Sequence, residues 1–271
     1  MLSTSLIKKD FVNKIMPLAR LSMILCLFLF CCGAAAADER SALEDEFYKA
    51  NSYYEAGNYK DAIGLYETIL ASGISSPNLH YNLGNSYLES GQIGSAILHY
   101  RKAIFYMPRD SGLRTNYKYA LSMMKQRDPN ISMHSLLRIV NGLFDMMTIG
   151  ESYLLFGLLY LAFALLFAAS RFVPRYRLAV DILAVFFFVI LVLTILPLSN
   201  KINDLDREGV IISQIADAKI APLDDAASGF PMYEGMRAYI LKKMEFGWVK
   251  IKRPDGKIGW IKDKDIKAVC E

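Results

Sequence analysis

A thirty-four-residue echo constrains this chain more than any other feature. Ala50, Tyr53, Gly57, Ala62 and Tyr66 recur in the same order as Gly84, Tyr87, Gly91, Ala96 and Tyr100. A small residue, an aromatic, a glycine, an alanine and an aromatic at fixed offsets mark a repeat built from a pair of helices. One such pair cannot cover its own apolar face, so neighbours stack and the array needs a closing element with a polar outer side. The spacing places repeats at 43–76 and 77–110 and the closing helix at 111–127. Gly57 and Gly91 should end the first helix of each pair, and Pro108 should stop the last. The small residues at 50, 84, 62 and 96 let helices cross closely, and the tyrosines fill the space between them. The concave face should carry Phe47, Asn51, Tyr54, Tyr81, Asn82, Asn85 and Leu88. Two readings of its asparagines stay open: ligand contact, or satisfaction of polar groups between helices.

These residues resemble the tetratricopeptide (TPR) repeat, most closely in the second copy with Leu83, Gly84, Tyr87, Ala96, Tyr100, Ala103 and Pro108. The first copy departs from it at Lys49 and Ile74. The resemblance implies a surface that holds other proteins. One TPR mode clamps a C-terminal carboxylate with asparagines and cations. Asn51 and Asn82 match the asparagines, but Phe47, Gly112 and Asn116 stand where the cations would be. His80, His99 and His134 read as isolated helix-surface or packing residues, with no carboxylate or hydroxyl partner at catalytic spacing.

A mean hydropathy of +0.24 is high for a chain without membrane segments. The run 21–32 is too short to span, is preceded by Lys8, Lys9, Lys14 and Arg20, and is followed by Ala34 to Ala37. That reads as a cleavable signal peptide at 1–37; a start at Met16 and a lipid anchor at Cys31 or Cys32 remain alternatives. Residues 129–151 read as an amphipathic connector, either interfacial or packed on the array. The uncharged run 152–170 reaches about 28 Å as a helix, enough to cross the hydrocarbon. A second span is expected at 178–198, with Asp181 near its start. The loop 171–177 carries Arg171, Arg175 and Arg177 and no acid, which marks it as cytoplasmic. Both soluble parts are then expected on the non-cytoplasmic side of the membrane. Most of the net charge of +4 belongs to these membrane flanks, so a nucleic-acid surface is excluded. The four cysteines form no metal-binding spacing, and no metal, cofactor or enzymatic site is expected.

Beyond residue 207 the period changes to short alternating runs with turn signals such as Arg253-Pro254-Asp255-Gly256. The pattern, with Gly247-Trp248 and Gly259-Trp260-Ile261, resembles a bacterial SH3-like barrel over 207–271. Val249 and Ile251 should face the core. Trp248 then faces away, either as a wet stacking platform or packed under the loop around 223–232, while Trp260 is expected in the core. Trp248, Tyr239 and Tyr233 are the candidate ligand face.

The fold class is thus multi-domain: an all-α helical repeat, a two-helix transmembrane hairpin and a small all-β barrel. This order resembles the BatE proteins of an aerotolerance operon. That resemblance implies protein partners of the von Willebrand A-type Bat class, and indirectly a MoxR-type ATPase, in a stress-linked envelope complex. The other reading is a cell-wall anchor or sensor whose SH3-like module grips peptidoglycan.

Overall fold

The computed structural model describes residues 43–126, 142–172 and 174–270. The expected signal peptide, most of the connector and His134 lie outside the described residues. Five helices form the repeat region: α1 (43–55), α2 (Tyr59–Ala71), α3 (Pro77–Glu89), α4 (Ile93–Tyr106) and α5 (Ser111–Met123). The echo in sequence becomes an echo in geometry. Gly57 and Gly91 adopt φ of +77° and +78°, a left-handed conformation that L side chains resist. Just after each, Asn58 N donates to Tyr53 O and Gln92 N donates to Tyr87 O, both at 2.9 Å. The helix starts are set by side chains: Ser76 Oγ accepts from Leu79 N at 3.1 Å, and Asp110 Oδ1 accepts from Leu113 N at 2.7 Å. Ala50, Ala62, Tyr66, Leu83, Ala96, Ile97, Tyr100 and Leu113 are fully buried. A Cβ on Gly84 would sit 2.7 Å from the Tyr100 ring, so the aromatic of one helix occupies the space that the small residue of the other vacates.

Two long apolar helices follow, α6 (Ile149–Ala169) and α7 (Arg177–Arg207). Thr148 and Glu151 form a reciprocal capping box at the start of α6. The helices run antiparallel and touch through Phe163 and Phe188, whose ring centroids are 5.3 Å apart. Leu154, Leu158, Leu161 and Leu165 on α6 and Ile182, Val185 and Leu193 on α7 are more than half exposed. Helix α7 is longer than the expected second span. It continues past the apolar run to Arg207, and the first strand begins at the next residue.

Seven strands complete the chain: β1 (Glu208–Ile211), β2 (Ile215–Lys219), β3 (Ser228–Tyr233), β4 (Arg237–Lys243), β5 (Trp248–Lys252), β6 (Ile258–Lys262) and β7 (Ile266–Ala268). Their pairings are antiparallel in the order β3-β2-β6-β5-β4-β1-β7. The all-β module expected from the sequence is present, and its strand pairing is open, with edges at β3 and β7. Its inner residues still form one core that includes Met232 on β3 and Ile266 on β7, so the sheet curls about that core. The turn at Arg253–Gly256 forms as the sequence indicates. Gly256 has φ +93°, and the Arg253 guanidinium beside Asp255 holds its carboxyl at about 2.

Strand β1 is buried along its whole length. Alternation explains why: Ile211 enters the sheet core, while Val210 points the other way into the core of the repeats. Val269 and Cys270 join it there, and Met124, just past α5, touches both cores. The repeat region and the sheet are therefore packed against one another.

Candidate functional site

The expected concave-face residues come together, but most of their polar atoms are already engaged. Asn51 Oδ1 accepts from Tyr66 Oη at 2.5 Å and from Asn82 Nδ2 at 2.9 Å. One repeat later, Asn85 Oδ1 accepts from Tyr100 Oη at 2.7 Å and from Asn116 Nδ2 at 2.9 Å. All three positions of the first set reappear thirty-four residues on in the second. An asparagine on the first helix of a pair thus ties down the buried tyrosine of the second helix and the next repeat at once. Of the two open readings, inter-helix satisfaction accounts for these carbonyl oxygens. The Nδ2 groups of Asn51 and Asn85 are left for solvent or a ligand.

The remaining face is phenolic and uncharged. Phe47 lies on Tyr66 with centroids 5.9 Å apart, Tyr54 on Tyr59 at 5.5 Å, and Tyr81 on Tyr100 at 6.2 Å. Asn116 Nδ2 also reaches Tyr81 Oη at 3.2 Å. Burial, then the negative charge of Glu89, raises the Tyr54 hydroxyl above its ordinary value; burial carries Tyr66 up to about 12. These hydroxyls stay protonated, and that of Tyr66 donates to Asn51. Leu88 is a correction: it is buried and belongs to the core, because it lies on the side of α3 that faces its neighbours.

Of the two alternatives for Trp248 the structure takes the packed one, whereas Trp260 differs from expectation. Trp248 is only 6% exposed, so it is not a wet platform. Its cross-strand partner Lys262 lays its ammonium 4.2 Å from the centre of the indole, and Asp224 from the loop after β2 holds that ammonium at 2.5 Å. Trp260 is instead the half-exposed one, with Lys250 Nζ at 5.6 Å from its ring. Tyr239 and Tyr233 are half-buried, and Tyr239 pairs across strands with Glu208 at the junction with the repeats.

The sequence reading missed that junction and a buried histidine pair. At the junction, Arg101 on α4 grips Glu208 with both Nε and a terminal nitrogen, and Arg237 lies 3.7 Å from the same carboxylate. Gly94 N donates to Glu234 Oε1 at 2.8 Å. A Cβ on Gly94 would lie 2.5 Å from Ile211 O, and one on Gly235 2.7 Å from Ile97 Cδ1. In the repeats, His80 Nδ1 and His99 Nδ1 are 3.0 Å apart, and His80 Nε2 meets Ser75 Oγ at 3.0 Å. Tyr87 stacks on His99 and donates its hydroxyl to Glu67. A nitrogen–nitrogen bond of this kind needs one donor and one acceptor, so at least one ring is neutral, and burial favours the uncharged form of both. Burial holds His80 down at about 4 and His99 well below the usual histidine range. A signal existed: residues nineteen apart face each other within a pair, as Phe47 does Tyr66 and Tyr81 does Tyr100, and His80 and His99 share that separation.

Among the described residues no group of three or more histidine, cysteine, aspartate or glutamate side chains is placed to hold a metal. The family model described as anaphase-promoting complex, cyclosome, subunit 3 matches residues 29–103. It is a TPR-like repeat family. No curated protein matches the chain. Repeats of this kind commonly form interaction surfaces for other proteins.

Proposed function

We propose that this protein is a membrane-anchored scaffold that presents its repeat array and its sheet, as one rigid head, on the outer side of a bacterial inner membrane. The observation that carries the reading is the shared core at β1. The two soluble parts lie on either side of the helical pair in the chain, yet Val210, Gly94 and the Arg101–Glu208 pair bind them together. Parts that pack this way share a compartment, and a hairpin through lipid is the connection that allows it. The bare apolar surface of α6 and α7 supports lipid as its covering, since soluble proteins rarely expose so large a patch. The arginines of the connecting loop favour a cytoplasmic turn.

The head then recruits protein partners through the phenolic face of the repeats. The BatE resemblance makes von Willebrand A-type Bat proteins the first to seek, with a MoxR-type ATPase behind them, in an envelope complex linked to oxygen or stress tolerance. The SH3-like resemblance of the sheet belongs to the same reading. Wall binding through Trp248 loses its support, because the indole is roofed by Lys262.

Two measurements test the proposal. A reporter active only in the cytoplasm should be silent at the C-terminus and active when placed in the loop at 171–177. A cytoplasmic signal from the C-terminus would refute the topology. Crosslinking in native membranes should then yield partners that are lost in a Tyr54→Ala, Tyr81→Ala variant whose melting is unchanged. Unaltered partners would refute the role of that face.

A further inference from the structure

Beside the junction lies a cleft of about 410 Å³, walled by α4, α5, the turn at residue 145, Lys201 near the end of α7, and Arg237 on β4. Five cations line it: Arg101, Arg114, Lys118, Lys201 and Arg237. Arg101 and Arg237 share one carboxylate, Glu208. The other three lack a carboxylate contact among the described residues. Arg114 donates to Pro108 O and, at 3.3 Å, to Asp145 O; Lys201 donates to Phe144 O at 2.6 Å and to Met147 O. Backbone carbonyls aim these cations without neutralising them. Lys118 is exposed at the rim. With the Asp145 side chain as the one acid lining the wall, positive charge is in excess. Ile104, Phe105 and Leu121 supply apolar walls, which concentrate the field. Burial holds the Lys201 ammonium below the ordinary lysine range, and Arg101 and Arg114 repel it further, against the pull of Asp145 and Glu151.

The cleft also has a level. Asp145 precedes the start of α6 at Ile149, and Lys201 follows the end of the apolar run at Ser199. Arg109 clasps Glu151 of the α6 capping box, linking the repeats to the start of that helix. If the helices span, this is the depth of lipid phosphates. A guanidinium fork with two ammoniums nearby suits a tetrahedral oxyanion.

We propose that this cleft binds a phosphate group, carried by an anionic phospholipid headgroup or by a soluble phosphate. The lipid source rests on the membrane reading above; the phosphate site does not. The test is calorimetric titration of the full-length protein in nonionic detergent with three probes: dihexanoyl phosphatidylglycerol, dihexanoyl phosphatidylcholine and inorganic phosphate. Phosphatidylglycerol should bind at least tenfold more tightly than phosphatidylcholine, and more weakly in high salt. Lys118→Ser and Arg114→Gln should each weaken binding about tenfold or more, the loss expected for one charged hydrogen bond. Lys118 makes no contact that the fold relies on among the described residues, so its variant reads the site even if Arg114→Gln unfolds. Equal binding of inorganic phosphate and phosphatidylglycerol would assign the site to soluble phosphates and leave the anion site standing. No binding of either, or binding indifferent to both variants, would overturn the proposal whatever the topology reporters show.

Discussion

Arg101→Met isolates the junction. The Glu208 side chain is 4% exposed and would lose its two-pronged partner, leaving a carboxylate buried beside an apolar thioether. Removing one partner from a buried pair costs about 3–5 kcal/mol. Arg237 recovers part of that. It stands 3.7 Å from the carboxylate but is 40% exposed, so its contribution is that of a surface pair, about 0.2–1 kcal/mol. A net loss of about 3 kcal/mol is expected at β1, equivalent to a rise of about a hundredfold in local opening. Hydrogen exchange of the full-length protein in detergent reads it directly: amides of β1 and the facing turns of α4 should exchange about a hundredfold faster, while α2 is unchanged. Arg101→Met with Glu208→Met should restore most of the protection, because an apolar pair carries no stranded charge. Protection of β1 within about threefold of wild type in the single variant, or a double variant as loose as the single, would refute the view that this pair locks the head together.

Stability should depend on pH through His80 and His99. Both are depressed in the folded state, so their contribution is full above the unfolded value of 6.5 and is lost as pH falls toward the folded value, about 4 for His80 and well below 6.5 for His99. His80 should cost about 2 kcal/mol between pH 6.5 and 5, a window above most carboxylates, with His99 acting in the same direction; a flat melting profile there contradicts the neutral pair. Gly94→Ala forces a Cβ to within 2.5 Å of Ile211 O and should cost about 1–3 kcal/mol, seen as a lower melting temperature with faster exchange in β1. Trp248→Ala should destabilise the sheet by about 3–5 kcal/mol, and Trp260→Ala clearly less, since the second ring is half-exposed. Equal losses at the two positions would contradict the burial seen here.

The repeats were legible because their rules are local. A glycine that must turn left and an alanine that must admit a tyrosine leave marks at fixed spacing, and so does an uninterrupted apolar run. The strand pattern likewise located Val249 and Ile251 in the sheet core. What the pattern could not supply was the second layer over each face. Trp248 alternates away from the core, but nothing in alternation says that Lys262 and Asp224 roof it. Glu208 reads as an ordinary charge at a strand start until Arg101, over a hundred residues earlier, is brought beside it. For Asn51 and Asn85 the ligand and packing readings both stood open, because their hydrogen bonds cross between elements, which a single sequence does not reveal.

Helix α7 hands its backbone to β1 without a single intervening residue. A stiff rod joined directly to a clamped strand has no slack. Tilt or torque applied to the head by a bound partner must pass into the rod, with Pro197 its one internal flexure point, where the ring forbids a normal helical hydrogen bond. Mechanically the molecule is a lever, and a four-residue glycine–serine insert between Arg207 and Glu208 would turn it into a tether.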